Sequence, residues 1–170
     1  FFMPQKLLAF HRHNHTHCVS SALTEAQELC NERGARLTPL RRQVLELIWQ
    51  SHIPLGAYAL MDQLAELTTR RVAPPTVYLA LDFLLEQGLV HRIHGLNAFI
   101  GCPTPGEHHQ SEFLLCRDCG VAKEIDSEEL SQAIRIVAEA DGFLVENNSL
   151  EVTGLCPNCR PKDDAPHERA

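Results

Sequence analysis

Residues 91–124, HRIHGLNAFIGCPTPGEHHQSEFLLCRDCGVAKE, hold four of the chain's ten histidines and three of its seven cysteines. The stretch contains Cys116-Arg-Asp-Cys119, and a second C-x-x-C pair, Cys156-Pro-Asn-Cys159, follows downstream. Two such knuckles supply four thiolates from tight turns, the tetrahedral sulfur set that zinc prefers. A redox dithiol is the alternative reading, but two matched pairs at strand ends argue for structural zinc. A closed site of this kind folds a domain and leaves no position open for chemistry. Upstream, His91, Cys102, His108 or His109, and Glu124 offer a mixed nitrogen, sulfur and oxygen set. Singly, each has a structural reading: a hairpin histidine, a buried thiol, exposed linker histidines, a strand-end carboxylate. Together they come one from each flanking element, and a thiolate among them selects zinc over iron(II) or manganese. The stretch therefore predicts two metal sites that couple an N-terminal helical domain to a C-terminal sheet domain, making the chain an α+β protein.

A chain of 170 residues with 44% apolar and 22% charged residues is an ordinary globular sequence that can bury a real core. It has no apolar run long enough to span a membrane, and its apolar opening lacks a cleavage site, so no signal peptide is expected. An odd number of cysteines in C-x-x-C spacing predicts reduced thiols in a cytoplasmic, metal-binding protein. The net charge of −7 is uneven: residues 1–100 carry nine Lys/Arg against eight Asp/Glu, and residues 101–170 carry six against fourteen. A polyanion would have to meet the N-terminal half, because acidic surface repels phosphate.

Residues 1–19 form a His-rich tail (His11, His13, His15, His17) that reads as disordered or as a weak metal binder. Residues 21–33 read as a helix stopped by Gly34, with Cys30 on its apolar stripe as a core thiol. Thr38-Pro39 is an N-cap and first-turn pair opening a helix through LRRQVLELIWQ. Arg41 and Arg42 in its first turns read as a solvated face. A turn at His52–Gly56, a helix over 57–67 and a polar loop ending in two prolines follow. The helix over 76–88 has Val77, Ala80, Leu81, Leu84 and Leu85 on its apolar side and Leu79, Asp82 and Glu86 opposite, with Tyr78 at the flank.

This is helix-turn-helix grammar, and the two strands LVHRIHG and NAFIGC after Gly88 add a wing. Arg92 on the wing and Arg70 and Arg71 in the preceding loop are placed to meet phosphates. Residues 103–111 read as a hinge. Beyond it come strands around the first knuckle, a helix capped by Ser127, and a long strand over 143–156, bulged at Asn147-Asn148, that delivers the second knuckle.

LTPLRRQVLELI, APPTVYLALDFLLEQGLVHRI, the H-x-S-x-F-x-x-C segment from His109 to Cys116, and GLCPNC resemble the ferric uptake regulator family of bacterial metalloregulators, and within it the zinc-sensing branch. The resemblance covers about residues 20–160. It implies a winged-helix DNA-binding domain (20–102), a hinge (103–111), a zinc-binding dimerisation domain (112–160) and a tail (161–170). Also implied is a homodimer that binds double-stranded operator DNA when zinc-loaded and represses zinc-acquisition genes. By position it assigns structural zinc to Cys116, Cys119, Cys156 and Cys159. Regulatory zinc goes to His91, Cys102, His109 and Glu124, with His109 chosen over His108 by its spacing to Cys116, so two zinc ions per subunit are expected.

The expected DNA contacts are Thr76, Tyr78, Arg41, Arg71 and Arg92. One position departs from the family: its recognition helix reads P-T-V-Y-R-A-L, and this chain has Leu79 in place of the arginine. Leucine makes neither a base-edge hydrogen bond nor a phosphate contact, though it can touch a thymine methyl. An iron- or manganese-sensing member of the family, and a zinc-buffering or delivery protein without specific DNA binding, are the alternative functions. With no H-E-x-x-H and no nucleophile elbow, an enzyme is not expected; nor is a membrane or small-molecule partner.

Overall fold

The computed structural model describes residues 9–10, 14–67, 72–107 and 111–161. Arg70, Arg71, His108 and His109 lie outside these, as do most of the N-terminal tail and residues 162–170.

The first helix, α1 (His15–Glu32), starts earlier than the sequence pattern suggests. Asn14 accepts a hydrogen bond from the Thr16 amide at 3.0 Å, which caps the helix, and Cys18 joins Ala22, Leu23, Ala26 and Cys30 on one buried stripe. Residues 15–19 are therefore the first turns of a packed helix rather than the end of a disordered tail. Cys30 has no exposed surface, and burial pushes its thiol pKa up, as expected of a core thiol.

Helix α2 (Pro39–Trp49) opens at the Thr38 cap with Pro39 in its first turn. Strand β1 (Leu55–Gly56) and α3 (Ala57–Leu67) follow. Helix α4 (Pro74–Glu86) begins two residues before the expected start. Pro74 and Pro75 occupy first-turn positions, where a missing N–H costs no helical hydrogen bond. Val77, Ala80, Leu81 and Leu84 are buried on one side of α4. Gly88, at φ +66°, lets the chain leave the helix in the left-handed region.

Strands β2 (Val90–Ile93) and β3 (Ala98–Gly101) form the wing hairpin. The sheet order is β1-β3-β2, all antiparallel, so residues 55–56, expected only as part of a turn, instead add a third strand to the wing. A Cβ at Gly101 would run into the Trp49 indole, so glycine is what lets the wing pack on α2.

The second part contains β4 (Ser111–Cys116), β5 (Ala122–Ile125), α5 (Glu128–Ala140) and β6 (Ser149–Gly154). Its sheet order is β5-β4-β6, with β4 antiparallel to β5 and parallel to β6. Ser111, expected in the hinge, is the first residue of β4. The long strand expected over 143–156 is cut to β6, whose pairing with β4 begins at Ser149 opposite Ser111. Asn148 is accordingly no bulge: its amide donates to Glu112 Oε1 at 3.3 Å.

Helices α1 to α4 and the wing share one apolar core. A smaller cluster of Ile93, Ile100, Phe113, Leu115 and Ala122 draws on both parts, so the wing and the second sheet are packed together rather than merely tethered. Fully burying a large apolar side chain such as Ile93 or Phe113 contributes about 1.5–3 kcal/mol. No helix among the described residues is long and apolar enough to cross a membrane.

Candidate metal centres and DNA-reading face

The Cys116-Arg-Asp-Cys119 knuckle hangs from the end of β4, where the Gly120 amide donates to the Cys116 carbonyl at 2.9 Å. The second knuckle follows β6, and the Cys159 and Arg160 amides both donate to the Cys156 carbonyl at 3.0 Å. Parallel pairing brings Cys116 opposite Gly154, so the two turns meet at one end of the sheet. All four sulfurs lie within 4.8 Å of one another, and Cys119 Sγ stands 3.7 Å from Cys156 Sγ. A tetrahedron with zinc–sulfur bonds of about 2.3 Å has edges of about 3.8 Å. The spacing thus fits a zinc-sized centre.

Electrostatics point the same way. Backbone amides at Cys119 and Cys156 hold the Cys116 thiol down at about 6, and the Cys156 N–H donates to its sulfur at 3.3 Å. Cys159, hydrogen-bonded to the Cys156 and Cys119 sulfurs and desolvated, is pushed up to about 12. Four thiolates this close repel one another, and a cation between them removes the obstacle.

The second set straddles the two parts. His91 is on β2, Cys102 follows β3, and Glu124 is on β5. Their ligand atoms lie within 4.8 Å of one another, with Cys102 and Glu124 buried and His91 half-buried. His91 Nε2 is 3.4 Å from Glu124 Oε1, and its ring meets Phe113 edge-on with centroids 5.6 Å apart. Ser111 Oγ lies 3.4 Å from His91 Nδ1 and so orients the ring with Nε2 toward the thiol and carboxylate. Sequence reasoning missed Ser111, although the serine of H-x-S-x-F marks it. One imidazole, one thiol and one carboxylate, converging in a site nearly closed to water, suit a borderline metal such as zinc. His109, the fourth expected ligand, lies outside the described residues.

The DNA-reading expectations divide. Thr76, Tyr78 and Leu79 are exposed on α4, Leu79 by 67%. Arg92 is exposed on the wing, where its guanidinium donates to Asn97 Oδ1 at 2.6 Å. Arg41 differs from the solvated-face reading. Its guanidinium sits 3.7 Å over the Phe83 ring of α4 and donates to the Arg36 carbonyl at 2.6 Å, so it braces α2 against α4. Its neighbour Arg42 is the exposed one. Arg71 lies outside the described residues.

A winged helix whose wing shares candidate metal ligands with a thiolate-bearing sheet defines the architecture of a metal-responsive DNA-binding regulator. The chain belongs to the ferric uptake regulator family, whose sequence model matches residues 32–153. The zinc uptake regulation protein of Escherichia coli (strain K12) is 39% identical over 142 residues, covering 81% of this chain and 80% of that relative. Among solved structures, a zinc uptake regulator complexed with zinc and DNA superposes with a TM-score of 0.76 at 37% identity, covering 83% of this chain and 94% of that one. The holo form of XcZur gives 0.73 at 41% identity over 82% and 96% of the two chains. The apo form gives 0.50 at 40% identity over 83% and 97%. Identity and coverage hardly change between the last two, so the gap in TM-score is one of conformation.

Proposed function

We propose that this protein is a zinc-responsive transcriptional repressor that binds operator DNA as a zinc-loaded dimer and shuts off zinc-uptake genes. The observation that carries this reading is the convergence of His91, Cys102 and Glu124 across the junction between the wing and the second sheet. Ligands from both sides of a junction make metal occupancy and domain arrangement one equilibrium. Zinc there would neutralise the charge of a buried thiolate and carboxylate and be shared by both parts. Glu124 is carried on β5, Phe113 and Ser111 of β4 orient His91, and the wing follows His91. The relative solved with zinc and DNA, and the closer likeness to a holo than to an apo form, support the same reading.

Two zinc ions per subunit follow from the two ligand sets, with Cys116, Cys119, Cys156 and Cys159 structural. We assign His109 as the fourth ligand of the other set by its motif spacing alone. A dimer is supported by the outer face of the second part: no residue of α5 is buried, and Val137, Phe143 and Leu144 are 67%, 66% and 80% exposed. An apolar face of this kind is covered most simply by a second copy. Two copies would present two α4 helices to successive major grooves.

Leu79 sits on the outer face of α4 as an apolar reader, suited to a thymine methyl rather than a guanine edge. The test is an electrophoretic shift on a zinc-uptake promoter, titrated with buffered free zinc, for this chain and for Leu79→Arg. Both are expected to bind only in the presence of zinc. The two should differ in base preference on the site by about 1–3 kcal/mol, a factor of roughly 5–150. Zinc binding by this chain with no sequence-specific shift at any zinc level would replace this reading with zinc buffering.

A further inference from the structure

The sheet under the wing has a second junction, set apart from the metal ligands. Phe113 on β4 pairs with Glu124 on one side and with Glu151 on the other. Directly paired residues share a face of a sheet, so Glu124, Phe113 and Glu151 form a single row. Strand β2 runs over this row. His91 meets Phe113 edge-on beside Glu124, and the turn after β2 reaches Glu151. There the His94 N–H donates to Glu151 Oε1 at 2.6 Å and the Gly95 N–H donates to Oε2 at 2.9 Å. Both carboxylate oxygens are used, each by a backbone amide that cannot move without moving the wing. Charge-assisted bonds of this type are roughly twice as strong as neutral ones. A Cβ at Gly95 would stand 2.7 Å from Glu151 Oε2, the free end of a flexible side chain that can shift to make room.

We propose that Glu151 is a positioning residue, a latch that grips the wing turn through the His94 and Gly95 amides and holds the winged helix against the second sheet without using a metal ligand. The inference deepens, and rests on, the repressor reading above. The closed arrangement then has two holds on one row: the metal set at Glu124 and the carboxylate grip at Glu151. A ligand's apparent affinity is scaled by the fraction of protein already in the competent state. By raising that fraction, the latch lowers the free zinc at which the operator is bound. It also keeps the wing turn in register on its approach to DNA.

The test uses the full chain at buffered free zinc, comparing wild type with Glu151→Ala, Glu151→Gln, Gly95→Ala and the Glu151→Ala/Gly95→Ala pair. Two quantities are read: the zinc midpoint of operator binding, and the hydrogen exchange of the His94 and Gly95 amides. Glu151→Ala is expected to raise the zinc midpoint about tenfold and to speed exchange at both amides, with the fold and zinc stoichiometry retained. Glu151→Gln keeps the shape and one acceptor and should fall between, which separates loss of the grip from damage to the strand. Gly95→Ala leaves the carboxylate in place and should shift the midpoint less than Glu151→Ala, and the pair should be no worse than Glu151→Ala alone. A midpoint and amide exchange unchanged in both Glu151 variants would overturn the latch. If wild type binds no operator at any zinc level, the repressor reading falls, and the amide exchange still decides: faster exchange in Glu151→Ala upholds the latch, and unchanged exchange overturns it.

Discussion

The two ligand sets are built in opposite ways. The four cysteines come from two tight turns in one part of the molecule, each turn closed by its own backbone hydrogen bonds and brought together by β4–β6 pairing. His91, Cys102 and Glu124 come from both sides of a junction, and only the packing of the wing on the second sheet gathers them. A site assembled by local turns can stabilise the part that contains it, but it cannot report on how parts are arranged. A site assembled by apposition contributes less to either fold and responds directly to their arrangement. The structural and regulatory roles proposed for the two sets thus rest on where their residues originate in the chain as much as on their chemistry.

The largest expected effect tests the local set. Cys116→Ser removes a thiolate from a closed site, where structural zinc contributes apparent binding free energies of roughly 10 kcal/mol or more. The second part should lose its cooperative unfolding transition, followed by circular dichroism and calorimetry. A Cys116→Ser protein that melts like wild type would end the distinction drawn here.

Cys102→Ser comes next and should do the reverse. The fold and melting transition should stay close to wild type, while the zinc-dependent gain in operator affinity, about 5–150-fold for a typical allosteric coupling, should disappear. Retained zinc control in this variant, measured by operator shift against buffered zinc, would remove the junction set from its proposed role.

The smallest effect sharpens the comparison. Ser127 Oγ accepts from the Leu130 amide at 3.2 Å and donates to Glu129 Oε2 at 2.9 Å, capping α5. Ser127→Ala should cost about 1 kcal/mol of stability in urea unfolding. Its zinc midpoint should not move, because α5 lies outside the row that carries Glu124. A shifted midpoint would mean that stability anywhere in the second part feeds the junction, which would blur the two roles.

Much of this was open to reading in the linear chain. The boundaries of α3, the buried stripe of α4 and the hairpin wing follow from local periodicity and glycine stops. The cysteine quartet follows from C-x-x-C spacing. Sequence pattern failed where pairing or capping decided the outcome. The extra turn of α1 depends on Asn14, which lies in a polar, His-rich run with no apolar periodicity of its own. The strand length of β6 depends on where β4 begins. The bracing of Arg41 on Phe83 depends on how α2 crosses α4, and a charge next to another charge reads as solvated whenever that crossing is unknown.

By itself, the sequence determined most of the element types and the spacing of the candidate ligands, because periodicity, turn chemistry and ligand spacing are short-range properties, and its motifs carried the family resemblance. Tertiary structure alone decided that Ser111 orients His91, that Phe113 stands between Glu124 and Glu151, and that Glu151 grips the wing turn. Those contacts join residues far apart in the chain, Glu151 lying 57 positions beyond His94. Apart from the serine of the H-x-S-x-F segment, no local pattern marks them, because each arises from sheet register and the packing of one part on another.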